Sequence, residues 1–305
     1  MRSIRIKSPA TVGNVGPGYD IFALSLSHPY DELEIVLDGT KVVKIEVEND
    51  CQNIPTSLND NTAGLAILDL LKRYNLNQGM TIRIIKKMKS GGGMGTTGAS
   101  AAAAVYGVNH LLNLNLSMNE MIDISRLGEV ASGGSPHADN VAASILGGFV
   151  LVKSYKPIDV LKIEMPEFPV VFAAIKKSQR TTRGFITYEI GQEKLKDQMA
   201  RCSRIIHAIH TKDIKEFGLA FSTDHIAEPV RAASIPEYHV VKQQVVEAGA
   251  FGCQISGGGS SVISICSPDK VDEVAEIMEQ GFKNNPYFVK VYKTTTSNRG
   301  VEVIS

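Results

Sequence analysis

The residues of this 305-residue chain best suited to chemistry gather at Lys89-Ser90-Gly91-Gly92-Gly93-Met94-Gly95-Thr96-Thr97-Gly98. This segment follows an alternating, strand-like run, Thr81–Lys87, and opens a strongly helix-favouring one, Ala99–Leu112. Glycine lets the backbone turn tightly and brings its N–H groups close to a ligand. A helix N-terminus adds unpaired donors and the positive end of the dipole, so the junction is suited to phosphate. Thr96 and Thr97 add hydroxyls able to cap the helix, touch phosphate or ligate magnesium. A plain turn with a threonine cap does not need three consecutive glycines, whose ordering costs backbone entropy.

Two well-known phosphate motifs do not fit. No Gly-Lys-Ser/Thr follows at the spacing of a Walker loop. Gly93, Gly95 and Gly98 do satisfy GxGxxG. A dinucleotide fold would next need a second strand ending in an acidic residue about 20 residues on. Leu116–Leu127 reads instead as a helix, which leaves Glu120 in the wrong context and disfavours an oxidoreductase.

The elements around the loop alternate between strand-like and helix-like patterns. Ile4–Lys7, Glu32–Leu37 and Val42–Val47 read as strands, Asn61–Tyr74 as a helix and Gly148–Lys153 as another strand. The pattern then restarts. A strand (Val170–Ile175), a helix near Glu193–His210, a helix (Val240–Glu247), two strands (Gly252–Ser256, Ser261–Cys266), a helix (Val271–Glu279) and a last strand (Tyr287–Tyr292) suggest a split βαβ, ferredoxin-like half. The break is expected within Tyr155–Glu167, where Lys156-Pro157 and Met165-Pro166 interrupt the patterns, giving domains of 1–160 and 161–305.

Composition removes several classes. Lys and Arg total 32 against 32 Asp and Glu, so no global field recruits nucleic acid or an anionic membrane. Apolar stretches such as Ala99–Tyr106 fall far short of the roughly 20 residues a bilayer requires. MRSIRIKSPA lacks the apolar region of a signal peptide. Cys51, Cys202, Cys253 and Cys266 are scattered without a CxxC pair, so they are expected to be apolar fillers in a reducing cytoplasm.

Three segments then carry a resemblance. Ser8-Pro-Ala-Thr-Val-Gly-Asn-Val-Gly-Pro-Gly-Tyr-Asp-Ile-Phe-Ala-Leu resembles the first motif of the GHMP kinase superfamily in its homoserine-kinase form. Gly91–Gly98 is similar to the second, with Thr96 and Thr97 in place of the usual serines. Gln254-Ile-Ser-Gly-Gly-Gly-Ser-Ser-Val262 is similar to the third, with Ser260 where proline is common. Glu129-Val-Ala-Ser-Gly-Gly-Ser-Pro-His137-Ala-Asp-Asn140, Ser178-Gln-Arg-Thr-Thr-Arg183 and Glu228-Pro-Val-Arg231 resemble further homoserine-kinase stretches, although Gln179 and Thr182 depart from the pattern.

The resemblance implies an α+β fold of two domains. One is a half like domain 2 of ribosomal protein S5, the other a ferredoxin-like half, and the active site lies between them. It implies ATP held by residues 89–97, with Mg2+ bound by Thr97 and Glu129. It implies a small amino-acid acceptor bearing a terminal hydroxyl. The acceptor carboxylate would meet Arg183 and Arg231, and its ammonium Asn14 and Asp20. His137 and Asn140 would lie beside the reacting hydroxyl, with Asp20 next to them. Some relatives are argued to use an Asp–Lys base, whereas homoserine kinases are thought to need no dedicated base, and no lysine motif here decides the matter. The expected activity is phosphorylation of L-homoserine. The alternatives are another acceptor, such as shikimate, pantoate or mevalonate, and a non-enzymatic binder. A homodimer is compatible with the resemblance.

Overall fold

The computed structural model describes residues 2–48, 53–88, 92–176 and 189–305. The first half runs β1 (Arg2–Gly13), β2 (Phe22–Leu37), β3 (Val43–Glu48), α1 (Thr62–Arg73), β4 (Met80–Ile85), α2 (Thr96–Leu112), α3 (Met118–Gly128), α4 (Val130–Gly133), α5 (Asp139–Leu146), β5 (Phe149–Tyr155) and β6 (Ile158–Ile163). The second runs β7 (Pro169–Ile175), α6 (Gln192–Thr211), α7 (Ile214–Phe221), α8 (Glu228–Arg231), α9 (Tyr238–Glu247), β8 (Gly252–Ile255), β9 (Val262–Ile265), α10 (Val271–Phe282) and β10 (Phe288–Thr295). A short β11 (Glu302–Val303) then returns to pair with β1.

Alternation governs the start of β1, where Ile4 and Ile6 point inward. From Ser8 to Gly13 every residue is buried, because the strand passes beneath the second half. β2 is paired along its length with β1; its far end meets β4, and its near end, Phe22–Leu24, meets β5. β3 joins β4 in parallel, and β6 joins β5. Thus β6 occupies part of the stretch expected to be the break between the halves.

α2 lies over this sheet. Its alanine-rich sequence suits a helix buried nearly all round, and Ala99 and Ala101–Ala104 are all buried. Gly107 allows close approach, since a Cβ there would sit 2.3 Å from Ile6 Cδ1 and 2.7 Å from Ile35 Cδ1.

The second half forms an antiparallel sheet in the order β10-β7-β9-β8. Numbered from β7, that is 4-1-3-2, the order of a ferredoxin-like sheet, with α7 and α8 added between α6 and α9. One hydrophobic cluster, including Val12, Leu24, Phe149, Phe172, Phe217 and Phe221, draws on both sheets and so fastens the halves together. Among the described residues no helix is long and apolar enough to cross a membrane. Burial lifts the thiols of Cys253 to about 12 and Cys202 and Cys266 to about 11, as suits fillers rather than nucleophiles. Cys51 lies outside the described residues.

Candidate active site

The glycine segment enters through a buried anchor. Asp31 on β2 pairs with the buried ammonium of Lys86 and accepts the backbone N–H groups of Lys87 and Met88, each at 2.8 Å. Lys89, Ser90 and Gly91 fall outside the described residues. Beyond them, Gly92 and Met94 are buried. Gly93 and Gly95 have φ of 72° and 63°, a region glycine enters without penalty.

Gly95 is the N-cap residue of α2, so Thr96 and Thr97 form the first helical turn and neither caps it. The Ala99 N–H makes the helix's first bond, to the Gly95 carbonyl at 2.8 Å. The N–H groups ahead of it point out of the helix end, where an anion would meet them.

All three glycine motifs meet at this point. The Thr11 N–H donates to the Met94 carbonyl at 3.0 Å, and the Gly257 N–H to the Gly13 carbonyl at 2.9 Å. The Ser256 hydroxyl donates to the Gly93 carbonyl at 2.6 Å. Side chains are excluded from the contacts: a Cβ on Gly259 would lie 2.7 Å from Gly93 Cα, and one on Gly95 would lie 1.9 Å from Thr11 Oγ1.

Asn140, in the first turn of α5, closes this ring. Its Oδ1 accepts from the Thr11 hydroxyl at 2.8 Å, and its amide lies so near Gly13 that a Cβ there would sit 2.4 Å from Nδ2. The neighbouring Asp139 is almost fully buried.

The loop after β1 holds Asn14 and Asp20, both with positive φ, 51° and 56°. The Asp20 N–H donates to Asn14 Oδ1 at 2.7 Å, so the buried Asn14 holds the loop closed around Asp20. The Asp20 carboxylate lies 3.3 Å from His137 Nδ1. The Tyr155 hydroxyl donates to the Asp20 carbonyl at 2.7 Å. Burial, with the nearby Asp139 and Asp20 carboxylates, raises the Tyr155 pKa far above its ordinary value, so it acts only as a neutral donor.

Glu129 lies at the junction of α3 and α4, and its carbonyl accepts the Gly133 N–H at 2.8 Å. Gly128, beside it, packs onto the Thr62 backbone, and the Thr62 hydroxyl donates to the Thr97 carbonyl at 3.1 Å. This chain of contacts brings the Glu129 end of α3 to the first turn of α2. Among the described residues no group of three His, Cys, Asp or Glu side chains is gathered as a metal cage. Magnesium in phosphoryl-transfer sites is usually held by one or two carboxylates plus phosphate oxygens, so the donor set of Thr97 and Glu129 suits it.

Arg231, from the second half, is buried at the third motif. Its Nη1 donates to the Gly257 carbonyl at 2.5 Å, and its guanidinium stands 5.6 Å from the Tyr19 ring centroid. Glu228, on the same short helix, accepts from Tyr238, Lys242 and Gln254 and so ties α8 to α9 and β8. Arg183, like Gln179, Arg180 and Thr182, lies outside the described residues. Of the described site residues, Asn140 lies against Gly95 at the N-terminus of α2, Arg231 against Gly257 of the third motif, and Asn14, Asp20 and His137 contact one another at the loop after β1. Thr11, Gly13 and Asp139 were legible as parts of motifs, whereas Tyr155 carried no sequence signal of its own.

The family models of the GHMP kinases match here, the N-terminal domain over residues 61–148 and the C-terminal over 205–284. The homoserine kinase of Methanococcus maripaludis (strain C5) is 36% identical over 95% of this chain and 97% of its own. The chain belongs to the homoserine kinase family of GHMP kinases. A crystal structure of homoserine kinase from Cytophaga hutchinsonii superposes with a TM-score of 0.90 at 32% identity, covering 100% of this chain and 98% of that one. Mevalonate diphosphate decarboxylase from Staphylococcus aureus shares the fold alone, at a TM-score of 0.74 and 15% identity over 100% and 98% of the two chains. The two-domain GHMP kinase fold expected from the motifs is thus the fold of this protein, and ATP use follows from the family.

Proposed function

We propose that this protein phosphorylates the side-chain hydroxyl of L-homoserine with ATP, giving O-phospho-L-homoserine and ADP, a step of threonine biosynthesis. The relatives' names support the acceptor. The observation that supports it is that one loop carries a carboxylate and stands beside a guanidinium: Asp20 on the loop after β1, and Arg231 beside Tyr19 of that same loop. An acceptor with both an α-ammonium and an α-carboxylate matches the pair. Shikimate, pantoate and mevalonate offer the carboxylate alone.

Residues 1–160 would hold the nucleotide and residues 161–305 would close over the acceptor. The backbone N–H groups of residues 89–97 would bind the ATP phosphates, helped by the dipole of α2. Thr97 and Glu129 would hold Mg2+, which when bound supplies charge neutralisation for the phosphates. Asn14 and Asp20 would receive the ammonium, and Arg183 and Arg231 the carboxylate. Asn140 and His137 would flank the reacting hydroxyl, with Asp20 fixing the His137 ring. The hydroxyl oxygen bonds to the γ-phosphorus as the bond to the ADP oxygen breaks, and the hydroxyl proton passes to a phosphoryl oxygen and on to water. A loose transition state puts little demand on a base, so positioning is the main task of these side chains. A cytoplasmic location and a homodimer belong to the same proposal.

A coupled assay of ADP release with Mg-ATP and homoserine, threonine, shikimate, pantoate or mevalonate tests this reading. Release greatest with L-homoserine is expected. Equal or greater release with shikimate or mevalonate would overturn it.

A further inference from the structure

Gln198 lies on α6, outside every motif, and is only 3% exposed. Its Nε2 donates to the Pro17 carbonyl at 2.8 Å and to Asp224 Oδ1 at 2.9 Å, while its Oε1 accepts the His225 N–H at 2.7 Å. The assignment of oxygen and nitrogen follows from the partners. A flipped amide would set its oxygen against two acceptors and its NH2 against a donor. Both N–H groups and the carbonyl are thus satisfied in one orientation only.

The partners belong to different walls of the site. Pro17 is the centre of the Asn14–Asp20 loop, and two residues, Gly18 and Tyr19, separate it from Asp20. That loop is also pressed onto α7, where a Cβ on Gly16 would lie 2.7 Å from the Phe221 carbonyl oxygen. Asp224, itself buried, accepts the N–H groups of Ile226 at 2.9 Å and Ala227 at 3.1 Å, and so shapes the approach to α8 and Arg231. We propose that Gln198 is a positioning residue that sets the separation between the ammonium wall, Asn14 and Asp20, and the carboxylate wall, Arg231. It touches neither substrate. It holds the distance between two charges that an amino acid must span, and so selects for the acceptor's length. This inference rests on the proposed reading of the two walls.

Two variants test it. Gln198→Glu keeps the shape but turns a donor into an oxygen facing the Pro17 carbonyl and the Asp224 carboxylate. Gln198→Met keeps the volume and removes all three bonds. The measurements are apparent KM for homoserine and for ATP, kcat/KM for L-homoserine against the one-carbon-shorter L-serine, and Tm. In both variants KM for homoserine should rise about tenfold or more, the order expected from losing two or three buried hydrogen bonds. KM for ATP should stay within about twofold, and the preference for homoserine over serine should narrow. Unchanged homoserine KM, equal rises in both KM values, or loss of folding in both variants would reduce Gln198 to a structural residue and overturn the inference. A wild-type protein without homoserine-dependent ADP release would instead overturn the functional reading itself.

Discussion

A methyl group at position 95 would meet Thr11 Oγ1 at 1.9 Å and Asn140 Oδ1 at 2.9 Å, and residue 95 must also adopt a φ of 63°. Gly95→Ala should therefore displace the start of α2 and lower kcat/KM on the order of 10²-fold, the scale of an ångström's misplacement in a site that acts by positioning. Wild-type kcat/KM in a folded Gly95→Ala protein would refute that role. Thr97→Ala and Glu129→Gln each remove an oxygen donor proposed for Mg2+. Both should lower kcat and shift the magnesium titration to higher concentration. A wild-type magnesium dependence in both would remove the metal assignment. At this scale much was legible in the sequence, because glycines and hydroxyls in a fixed order record a backbone that must approach a ligand. Tyr155 was not legible: it reaches Asp20 across 135 positions of sequence, and a lone tyrosine in a strand looks like any other.

The elements explain where the pattern reading held and where it failed. Apolar and helical stretches such as Val170–Ile175 and Val271–Glu279 match β7 and α10 closely. The Ser8–Gly13 half of β1 shows no alternation because both its faces are buried, and β6 was hidden by the proline beside it. Glycine also governs how elements approach. A Cβ on Gly128 would lie 2.3 Å from the Thr62 carbonyl oxygen and 3.0 Å from Ala101 Cβ, so Gly128→Ala should push the end of α3 off α1 and α2. A loss of about 1–3 kcal/mol in a denaturant melt is expected, with a raised magnesium requirement as Glu129 moves with the helix. A variant as stable as wild type would contradict the packing argument. α8 offers a pH test. Burial alone would raise the Glu228 pKa, but the Lys242 charge and the bonds from Lys242, Tyr238 and Gln254 outweigh it, and the carboxyl sits below its ordinary range. A depressed folded pKa contributes stability that is present above the unfolded value and is lost as pH falls through the folded one. Wild-type Tm should thus drop below about pH 4.5. Lys242→Met should destabilise the protein by about 3 kcal/mol at neutral pH by leaving Glu228 buried without its cation, and should flatten that acid drop. Parallel acid profiles for the two proteins would show the pair to be irrelevant.

Across the whole molecule, the second half touches two loops of the first through separate contacts. The third glycine motif lies on the loop proposed to hold phosphate, with Ser256 bonded to Gly93 and Gly259 against its backbone. Arg231 lies against the loop proposed for the acceptor, at Tyr19. Substitutions in one half should therefore separate by substrate. Gly259→Ala would force its Cβ to 2.7 Å from Gly93 Cα and 2.8 Å from Gly93 N, contacts with backbone that cannot rotate away. The first half's loop must shift, so KM for ATP should rise several-fold although position 259 belongs to the other half, and homoserine KM should change less. Arg231→Ala should do the reverse. Losing a bidentate carboxylate partner in a closed site costs roughly 2–5 kcal/mol, because the substrate charge is left uncompensated. Part of that loss should appear in kcat, since binding energy remote from the hydroxyl also aligns it for attack. Arg231→Lys should recover only a fraction, as a point charge cannot replace the planar fork or its hold on the Gly257 carbonyl. Because that carbonyl belongs to the third motif, a small ATP effect is expected in Arg231→Ala as well. The informative quantity is the ratio of the two KM changes in each variant. Ratios on the same side of one for Gly259→Ala and Arg231→Ala would mean that the second half acts as a single lid, with no division between a nucleotide contact and an acceptor contact.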